Sequence, residues 1–452
     1  MVQQHAVRHS EAFLALSRAL LTLLVVFAVV FASCYGAGFA QGQAKPREFK
    51  IGVVSFLSGP AAPHSGIPVR QGAELLVEAL NAGRVPPPYH RPGIGGVRIR
   101  AIYTDEAGPV DKQVTEFRRL VLDEKVDVVV GYISSANCLA IAPIAEELRT
   151  LTVFSVCGTQ RIFEEADYKY VFRTRAHQII DTLGLARYVF WVKPDLRTIA
   201  GINQDYAWGR DSWETFKESL LQLKPDVRVV GELWPKLFAT DYTAEITRLL
   251  AARPDVIFSS LWGGDLETFV GQATPRRLFD QSLVVLSVAD NLLVPGPGRF
   301  VPRGIVFGAR GLYGPLTPKT RMSQWFGEEF RRRHGYFPIH DPFNVANSIL
   351  AVKFAFERVL DRTGRWPSVE EAIQALEHAE YEGAAGRIRM ALGKGHQAVE
   401  PVGFGIVKEF DARRHEVTLE RVKTFPVWCV NPPRGVKSMD WIKRGFPGAV
   451  CP

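Results

Sequence analysis

Apolar and polar positions alternate in blocks along the chain, and the first clear block covers residues 49–83. A β-branched apolar run at 51–54 is typical of a buried strand. Gly59-Pro60 interrupts the pattern, and a loop of small residues follows. Apolar side chains then recur at helical spacing, at Ala73, Leu76, Val77 and Leu80. The segment therefore predicts a strand, a loop and a helix.

The same alternation continues through most of the chain. Further strands are predicted at 97–103, 126–130, 151–156, 169–173, 198–202, 227–233, 256–259 and 283–288. Helices are predicted between them, at 110–124, 136–148, 177–191, 208–223, 242–252 and 266–273. Alternation of this kind indicates an α/β fold with a parallel sheet covered by helices on both faces. Because a second series begins after residues 172–174, we predict two doubly wound lobes.

The first forty residues have the layout of a secretory signal peptide. Arginines flank an apolar run at 19–32, and Gly38-Phe39-Ala40 offers small residues for cleavage after residue 40. A transmembrane anchor is the alternative, but the apolar run is short for a full span. Lipoprotein processing at Cys34 is a third interpretation, and Phe31 fits poorly at the first position of its recognition motif. We predict cleavage after Ala40.

Length and charge limit the classes of protein to which this chain could belong. At 452 residues with 47% hydrophobic content, the chain is long enough for two packed lobes. The net charge of +8 is spread along the sequence, and its densest basic run, residues 331–333, lies on a predicted polar helix. No stripe of basic residues alternates with stacking aromatics. Nucleic acid is therefore not an expected partner.

Catalytic and metal-binding motifs are absent from the sequence. It contains no G-x-G-x-x-G with an acidic partner, no phosphate-binding P-loop, no G-x-S-x-G elbow and no H-E-x-x-H. Neither Cys-x-x-Cys nor histidine-rich spacing suggests a metal site. We predict that the protein is not an enzyme and that it needs neither cofactor nor metal.

Four cysteines remain after the leader, namely Cys138, Cys157, Cys429 and Cys451. An even number in an oxidising compartment makes disulfides plausible, and three pairings are open. We favour Cys429 with Cys451, because this bridge closes a Pro- and Gly-rich tail that has little else to hold it. A bridge between Cys138 and Cys157 stays open.

Several phrases resemble one family of proteins. They are IGVVSFLSGPAA with GAELLVEALNAG (51–83), DVVVGYISSANCLAIAPIAEEL (127–148), TDYTAEITRLLAARPDVIFSS (240–260) and DPFNVANSILAVKFAFERV (341–359). In order and spacing they resemble the branched-chain amino-acid-type periplasmic substrate-binding proteins, which are receptors of ABC importers. The resemblance extends over residues 49–425 and leaves the tail outside.

The resemblance implies a type I periplasmic binding fold, in which the chain crosses three times between two lobes. We place the crossings near residue 173, at 304–313 and at 389–397. The N-terminal lobe is then expected at 47–173 plus 306–390, and the C-terminal lobe at 174–305 plus 391–425. Residues 426–452 form an extension that a disulfide closes.

The residues alone allow an anion site at one helix start, although they favour a plain helix cap there. The strand at 126–130 is followed by Ser134 and Ser135 at the start of a helix, whose free N–H groups favour a carboxylate. A plain helix cap is the alternative role for either serine. The resemblance implies that Ser135 binds the ligand carboxylate and that the next loop adds Cys157 and Thr159. Cysteine at 157 departs from the family.

The resemblance also implies residues from the opposite lobe. Tyr206 matches the family's cleft tyrosine, and Asp290 lies where its members carry the acid that pairs with an α-amino group. Trp262 follows a strand beside two glycines, where it could stack on a ligand or belong to the core. His64 lies in the first loop, where the family often has an aromatic side chain.

These observations predict a monomeric periplasmic receptor that binds a small amino acid or related carboxylate between its lobes. Its expected partners are that small molecule and the membrane permease of an ABC importer. A ligand sensor that reports to a signalling partner is the alternative, as is a receptor for amides, urea or aromatic acids.

Overall fold

A computed structural model describes residues 44–451, and the predicted signal peptide with Cys34 lies outside the described residues. The strands are β1 (Glu48–Ser55), β2 (Arg98–Asp105), β3 (Val128–Gly131), β4 (Thr152–Phe154), β5 (Val171–Arg173), β6 (Thr198–Ile202), β7 (Arg228–Leu233), β8 (Val256–Ser259), β9 (Leu283–Leu286), β10 (Val306–Gly308), β11 (Glu380–Gly383), β12 (Gly386–Leu392), β13 (Gln397–Val399), β14 (Val402–Asp411) and β15 (Glu416–Phe425).

The helices are α1 (Ile67–Asn81), α2 (Val110–Leu122), α3 (Ser135–Glu147), α4 (Arg161–Glu164), α5 (Ile179–Val192), α6 (Ala207–Leu223), α7 (Thr243–Ala252), α8 (Gly263–Ala273), α9 (Leu278–Gln281), α10 (Arg321–His334), α11 (His340–Thr363), α12 (Val369–Leu376), α13 (Val427–Val430) and α14 (Ser438–Lys443). A short π-helical turn at Ala62–Gly66 precedes α1, and a 3₁₀ turn at Ala289–Leu293 follows β9.

Two separate sheets form the two lobes. The first has the order β11-β12-β13-β5-β4-β3-β1-β2, and the second has the order β15-β14-β10-β9-β8-β6-β7. The central strands pair in parallel, and the antiparallel strands β11–β13 and β14–β15 extend one side of each sheet. Central strands such as β3 (VVVG) and β8 (VIFS) are buried throughout, as expected for strands covered on both faces. The predicted two-lobed α/β fold is confirmed.

Strand membership shows where the chain passes between the sheets. It leaves the first sheet after β5, returns after β10 and leaves again after β13. Two strands differ from the predicted lobe boundaries: β10 belongs to the second sheet, although 306 was placed in the N-terminal lobe, and β13 belongs to the first sheet, although 397 was placed in the C-terminal lobe. Both strands are three residues long, and periodicity cannot assign so short a strand to a sheet.

The C-terminal extension packs against both lobes. Trp441 is fully buried in a cluster with Ile179 and Leu183 of α5, in the second lobe. The backbone N–H of Ser438 donates to the Glu164 carboxylate of the first lobe at 3.1 Å. Cys429 is bonded to Cys451, which closes this segment. The extension therefore lies across the crossings between the lobes.

Candidate ligand-binding cleft

The loops that follow the parallel strands of each sheet meet between the two lobes. In a parallel sheet the carboxyl ends of neighbouring strands lie at one edge, so the loops after β1, β3 and β4 lie together. The loops after β6, β8 and β9 face them from the second lobe. Direct contact across the gap is shown by Gly264, whose N–H donates to the Pro60 carbonyl at 3.2 Å. The lobes are closed on each other.

The start of α3 is already occupied in part by an internal carboxylate. Glu106 Oε2 accepts the backbone N–H of Ile133 at 2.8 Å, and Oε1 accepts that of Ser134 at 2.8 Å. The amide of Asn137 donates to Oε1 at 3.0 Å. Burial raises the pKa of Glu106 to about 8, although these three hydrogen bonds lower it by favouring the charged form. Sequence reasoning missed Glu106, which lies just beyond β2 and far along the chain from the cradle it fills.

Three of the predicted residues meet at the next loop. The N–H groups of Gly158 and Thr159 both donate to Ser135 Oγ, at 3.3 Å. Cys157 is fully buried and bonded to Cys138 in the first turns of α3, so its sulfur is directed into the lobe. Thr159 Oγ1 donates to Asp211 Oδ2 of the second lobe at 2.6 Å. Burial raises the pKa of Asp211 to about 6.

A small cavity remains between the lobes. Its walls come from Ser65, Ile133, Val156 and Gly158 on one side, Tyr206, Trp208, Trp262, Val288 and Asn291 on the other, and Arg310 and His340. The volume open to the centre of a water molecule is about 10 Å³, which is room for about one water. The closed arrangement therefore brings side chains of both lobes into contact around a nearly filled site.

Aromatic side chains form the second lobe's wall. The indole N–H of Trp262 donates to the Tyr206 hydroxyl at 2.8 Å, which orients both rings. Trp208 donates to the Ser260 carbonyl at 2.8 Å and is almost fully buried. Tyr206 and Trp262 were predicted, whereas Trp208 was assigned to a helix and missed, although it lies two residues after Tyr206.

Arg310 is one of two cationic side chains in the wall of the cleft, and sequence reasoning missed it. Its guanidinium carbon lies 4.3 Å from the centre of the Trp208 ring, and its side chain is 6% exposed. A Cβ built on Gly158 would lie 2.5 Å from Arg310 Nη2, so only glycine leaves room for the guanidinium. Within residues 44–451, Nε and Nη2 of Arg310 have no hydrogen-bond partner. Asp181 is nearest, with Oδ2 3.9 Å from Nε.

A useful signal for Arg310 did exist in the sequence. The dipeptide Arg310-Gly311 lies inside the predicted crossing at 304–313. A charged side chain on a crossing between two lobes is placed at their junction by topology alone. Burial and the charge of Arg175 lower the pKa of Arg310 to about 9.

Asp290 and His340 form a buried pair beside the cavity. Asp290 Oδ2 accepts from the His340 backbone N–H at 2.9 Å and lies 2.7 Å from His340 Nδ1. Asp341 Oδ1 lies 3.1 Å from His340 Nε2. Burial opposes the charged imidazole, but the two carboxylates raise the pKa of His340 to about 9, so it is an imidazolium at neutral pH. His340 lines the cavity and Asp290 lies behind it.

The remaining predicted residues lie around the cavity rather than in its wall. His64 Nε2 lies 2.9 Å from Glu267 Oε2 of the second lobe. Burial and nearby Arg299 lower the pKa of His64 to about 3, so it acts as a neutral hydrogen-bonding group. Ser134 lines an adjoining part of the cleft together with Tyr206 and Phe238.

Comparison with known proteins now identifies the family. A family model for periplasmic binding proteins matches residues 48–412. The chain belongs to the periplasmic binding protein family. The resemblance found in the sequence is confirmed, and so is the prediction that the protein is not an enzyme, because this is a family of solute-binding proteins. A search of curated protein sequences finds no significant match.

Solved structures of other periplasmic binding proteins share the fold. A solute-binding protein of an ABC transporter from Rhodopseudomonas palustris BisB5, in complex with 3,4-dihydroxybenzoic acid, is 20% identical with a TM-score of 0.70, covering 84% of this chain and 98% of that one. One from R. palustris in complex with benzoate is 18% identical with a TM-score of 0.71, covering 86% and 99%. A leucine-binding protein from Thermotoga maritima is 18% identical with a TM-score of 0.68, covering 83% and 98%.

The described part of this periplasmic binding protein has neither a metal-binding cluster nor a membrane-spanning helix. Between residues 44 and 451, no group of three or more His, Cys, Asp or Glu side chains is arranged to hold a metal ion. No helix in the same range has both the length and the apolar character of a membrane span.

Proposed function

We propose that this protein is the periplasmic solute receptor of an ABC importer and that it binds a small organic carboxylate in the cleft. The observation that carries the proposal is Arg310, a buried cation whose Nε and Nη2 have no partner among the described residues. A buried guanidinium of this kind favours a carboxylate, which accepts two of its N–H groups at once. Gly158 leaves room for the guanidinium itself, and Trp208 covers one face.

The charged groups in the cavity wall favour an acid without an ammonium group, because the carboxylates of Asp290 and Asp341 are paired with His340. The charged side chains that line it are Arg310 and His340, and both are cationic. Asp290, expected to pair with an α-amino group, instead accepts two hydrogen bonds from His340. With Tyr206, Trp208 and Trp262 as aromatic walls, an aromatic carboxylate is the first candidate. The relatives crystallised with benzoate and 3,4-dihydroxybenzoic acid support this choice.

An amino acid is the second candidate. One observation favours it: Asp290 Oδ1 is buried and has no hydrogen-bond partner in the described range, so it could still accept from an ammonium group. The relative named as leucine-binding is consistent with this alternative.

Transport by this receptor requires the lobes to open and close. The cavity is too small for a benzoate, so the ligand enters when the lobes are apart. Closure is then favoured because only the closed form offers both Arg310 and the loop at Gly158 to the same ligand. We propose that the closed, loaded receptor docks on the permease of the importer.

Titration calorimetry of the purified protein with benzoate, benzamide and leucine tests the proposal. We expect benzoate to bind with a Kd of about 1 μM or tighter, a typical strength of roughly −8 kcal/mol, and benzamide not to bind. Arg310→Met should abolish benzoate binding. Arg303→Met, at an exposed arginine seven residues away, should leave it unchanged.

Two results would contradict the carboxylate assignment. Equal binding of benzoate and benzamide would exclude a role for the carboxylate charge. Binding of leucine alone, with loss in Asp290→Asn, would establish the amino-acid alternative in its place.

A further inference from the structure

A second and larger cavity lies on the crossings, where the C-terminal extension meets both lobes. Its volume is about 480 Å³, within the range of roughly 300–1,000 Å³ typical of small-molecule sites. Gln160, Phe163, His177, Leu392, Gln397 and Val436 line it. His177 follows the first crossing and Gln397 precedes the third, while Val436 belongs to the extension. None of these residues lines the ligand cleft.

The floor of this hinge cavity carries polar groups that have no hydrogen-bond partner among the described residues. His177 is 2% exposed, and neither of its ring nitrogens has a hydrogen-bond partner in the described chain. Gln160 is 9% exposed, and its Oε1 is likewise without a partner there. Buried polar groups are normally hydrogen-bonded, because leaving one unpaired costs about 1–3 kcal/mol. Both residues line the cavity, so a ligand held there lies beside these unsatisfied groups.

The imidazole of His177, on the floor of the cavity, is uncharged. Burial, together with Arg173 and Arg175, lowers the pKa of His177 to about 3. The neutral imidazole therefore offers one N–H donor and one acceptor nitrogen at physiological pH.

The walls of the hinge cavity are apolar. Phe163, Ala391 and Leu392 form one side, and Pro432 and Val436 of the extension form the other. Such walls suit a ring or an alkyl group rather than a fully hydrated ion.

The mouth of the hinge cavity is cationic. Arg434 and Lys437 are exposed there, and neither forms an ion pair with any residue of the described range. Lys394 also lies at the mouth but is paired with Asp167 at 2.6 Å. The Glu164 carboxylate binds Ser438, and burial raises its pKa to about 7. With Lys394 and Asp167 paired, Arg434 and Lys437 outnumber Glu164, so the net charge of the lining is positive.

We propose that the hinge cavity is a second binding site, distinct from the cleft, for a small amphipathic organic anion. Its apolar part packs against Phe163, Leu392 and Val436. Its negative group lies at the mouth near Arg434 and Lys437. A polar group at the other end hydrogen-bonds with His177 and Gln160 on the floor.

The fluorescent anion 1-anilinonaphthalene-8-sulfonate (ANS) is the probe for the test. It carries a sulfonate and an N–H on an aromatic framework, and its emission rises in apolar surroundings. We expect saturable binding to the full-length protein. Arg434→Glu with Lys437→Glu should weaken binding roughly tenfold or more, because two attractive charges become repulsive. Val436→Trp should fill the cavity and abolish binding.

Matched variants separate this site from the rest of the surface. Arg413→Glu with Arg414→Glu makes the same change in charge at an exposed turn far along the chain and should leave ANS binding unchanged. Arg310→Met, in the cleft, should also leave it unchanged. His177→Leu should weaken binding by removing the polar floor; if that variant does not fold, the charge-reversal pair still decides.

Three results would overturn the proposal. They are an absence of saturable ANS binding, equal weakening by the 413/414 pair, and loss of the signal in Arg310→Met. Benzoate titration of the same variants reports on the cleft separately, so failure of one site is distinguishable from failure of the other.

Discussion

The cleft and the hinge cavity lie along the same crossings, yet their buried polar groups have different surroundings. In the cleft the opposing walls touch, and about 10 Å³ remains around Arg310. In the hinge cavity about 480 Å³ remains above His177. The walls of the cleft belong to two lobes that share only the crossings, whereas the hinge cavity is held from outside by the extension. Movement of the lobes towards each other can remove the space in the cleft, whereas the packed extension preserves the space in the hinge cavity.

This difference indicates which structural change would disrupt each site. The cleft depends on close approach, so a single added methyl group can prevent it. The hinge cavity depends on the attachment of the extension, so loss of that attachment should destroy it while the cleft survives.

Gly158→Val is expected to have the largest effect on the cleft. Its side chain would overlap Arg310 Nη2 and the Trp208 ring, which keeps the lobes apart. We expect benzoate affinity to fall roughly a thousandfold, about 4 kcal/mol, by titration calorimetry. Gly271→Val is the control, since nothing lies within 4 Å of a Cβ there. Unchanged benzoate affinity in Gly158→Val would show that binding does not need this closed arrangement.

Cys429→Ser with Cys451→Ser removes the disulfide that closes the extension, so it should affect the hinge cavity rather than the cleft. The bridge closes a loop of 22 residues, so its removal should lower the free energy of unfolding by about 3 kcal/mol in chemical denaturation. We expect ANS binding to weaken and benzoate binding to persist. The opposite pattern, with benzoate lost and ANS retained, would contradict the assignment of the extension to the hinge cavity.

Protonation of His340 makes the free energy of unfolding dependent on pH. Its pKa is about 9 in the folded protein against an ordinary value of 6.5, so its imidazolium adds stability below pH 6.5 that is lost as pH rises through 9. Wild type should therefore lose about 3 kcal/mol more than His340→Gln between pH 6 and pH 9.5. Urea denaturation at both pH values measures this difference. The exposed His378 provides the control, His378→Gln, which should follow wild type.

Thr159→Val should have the smallest effect. It removes the hydrogen bond from Thr159 Oγ1 to Asp211 Oδ2, which joins the lobes at the edge of the cleft. We expect benzoate affinity to fall about fivefold, or about 1 kcal/mol, with no change in ANS binding. Thr115→Val makes the same substitution on the exposed face of α2 and should leave both unchanged. A fall in ANS binding alone would show that this bond supports the hinge cavity.

The candidate site was predictable where a residue follows its own strand. Tyr206 and Trp262 line the cavity and lie four and three residues after the predicted strands that end at 202 and 259, and loops at the carboxyl ends of parallel strands gather at one edge. Glu106 and His340 were missed because their contacts join segments far apart in sequence. The role expected of Asp290 remains a prediction, and its pairing with His340 could not be read from either residue alone.

The sequence by itself determined the two-lobed α/β fold and the family. Both follow from local patterns, the alternation of apolar strands with amphipathic helices and short phrases in a characteristic order. Only the tertiary structure decided which groups remain unpaired. Arg310 and His177 are ordinary residues in the printed chain, and each becomes unusual because burial removes water while no described residue hydrogen-bonds with the His177 ring or with Nε and Nη2 of Arg310. Whether a buried polar group forms a hydrogen bond depends on all its neighbours, and those neighbours come from distant parts of the chain.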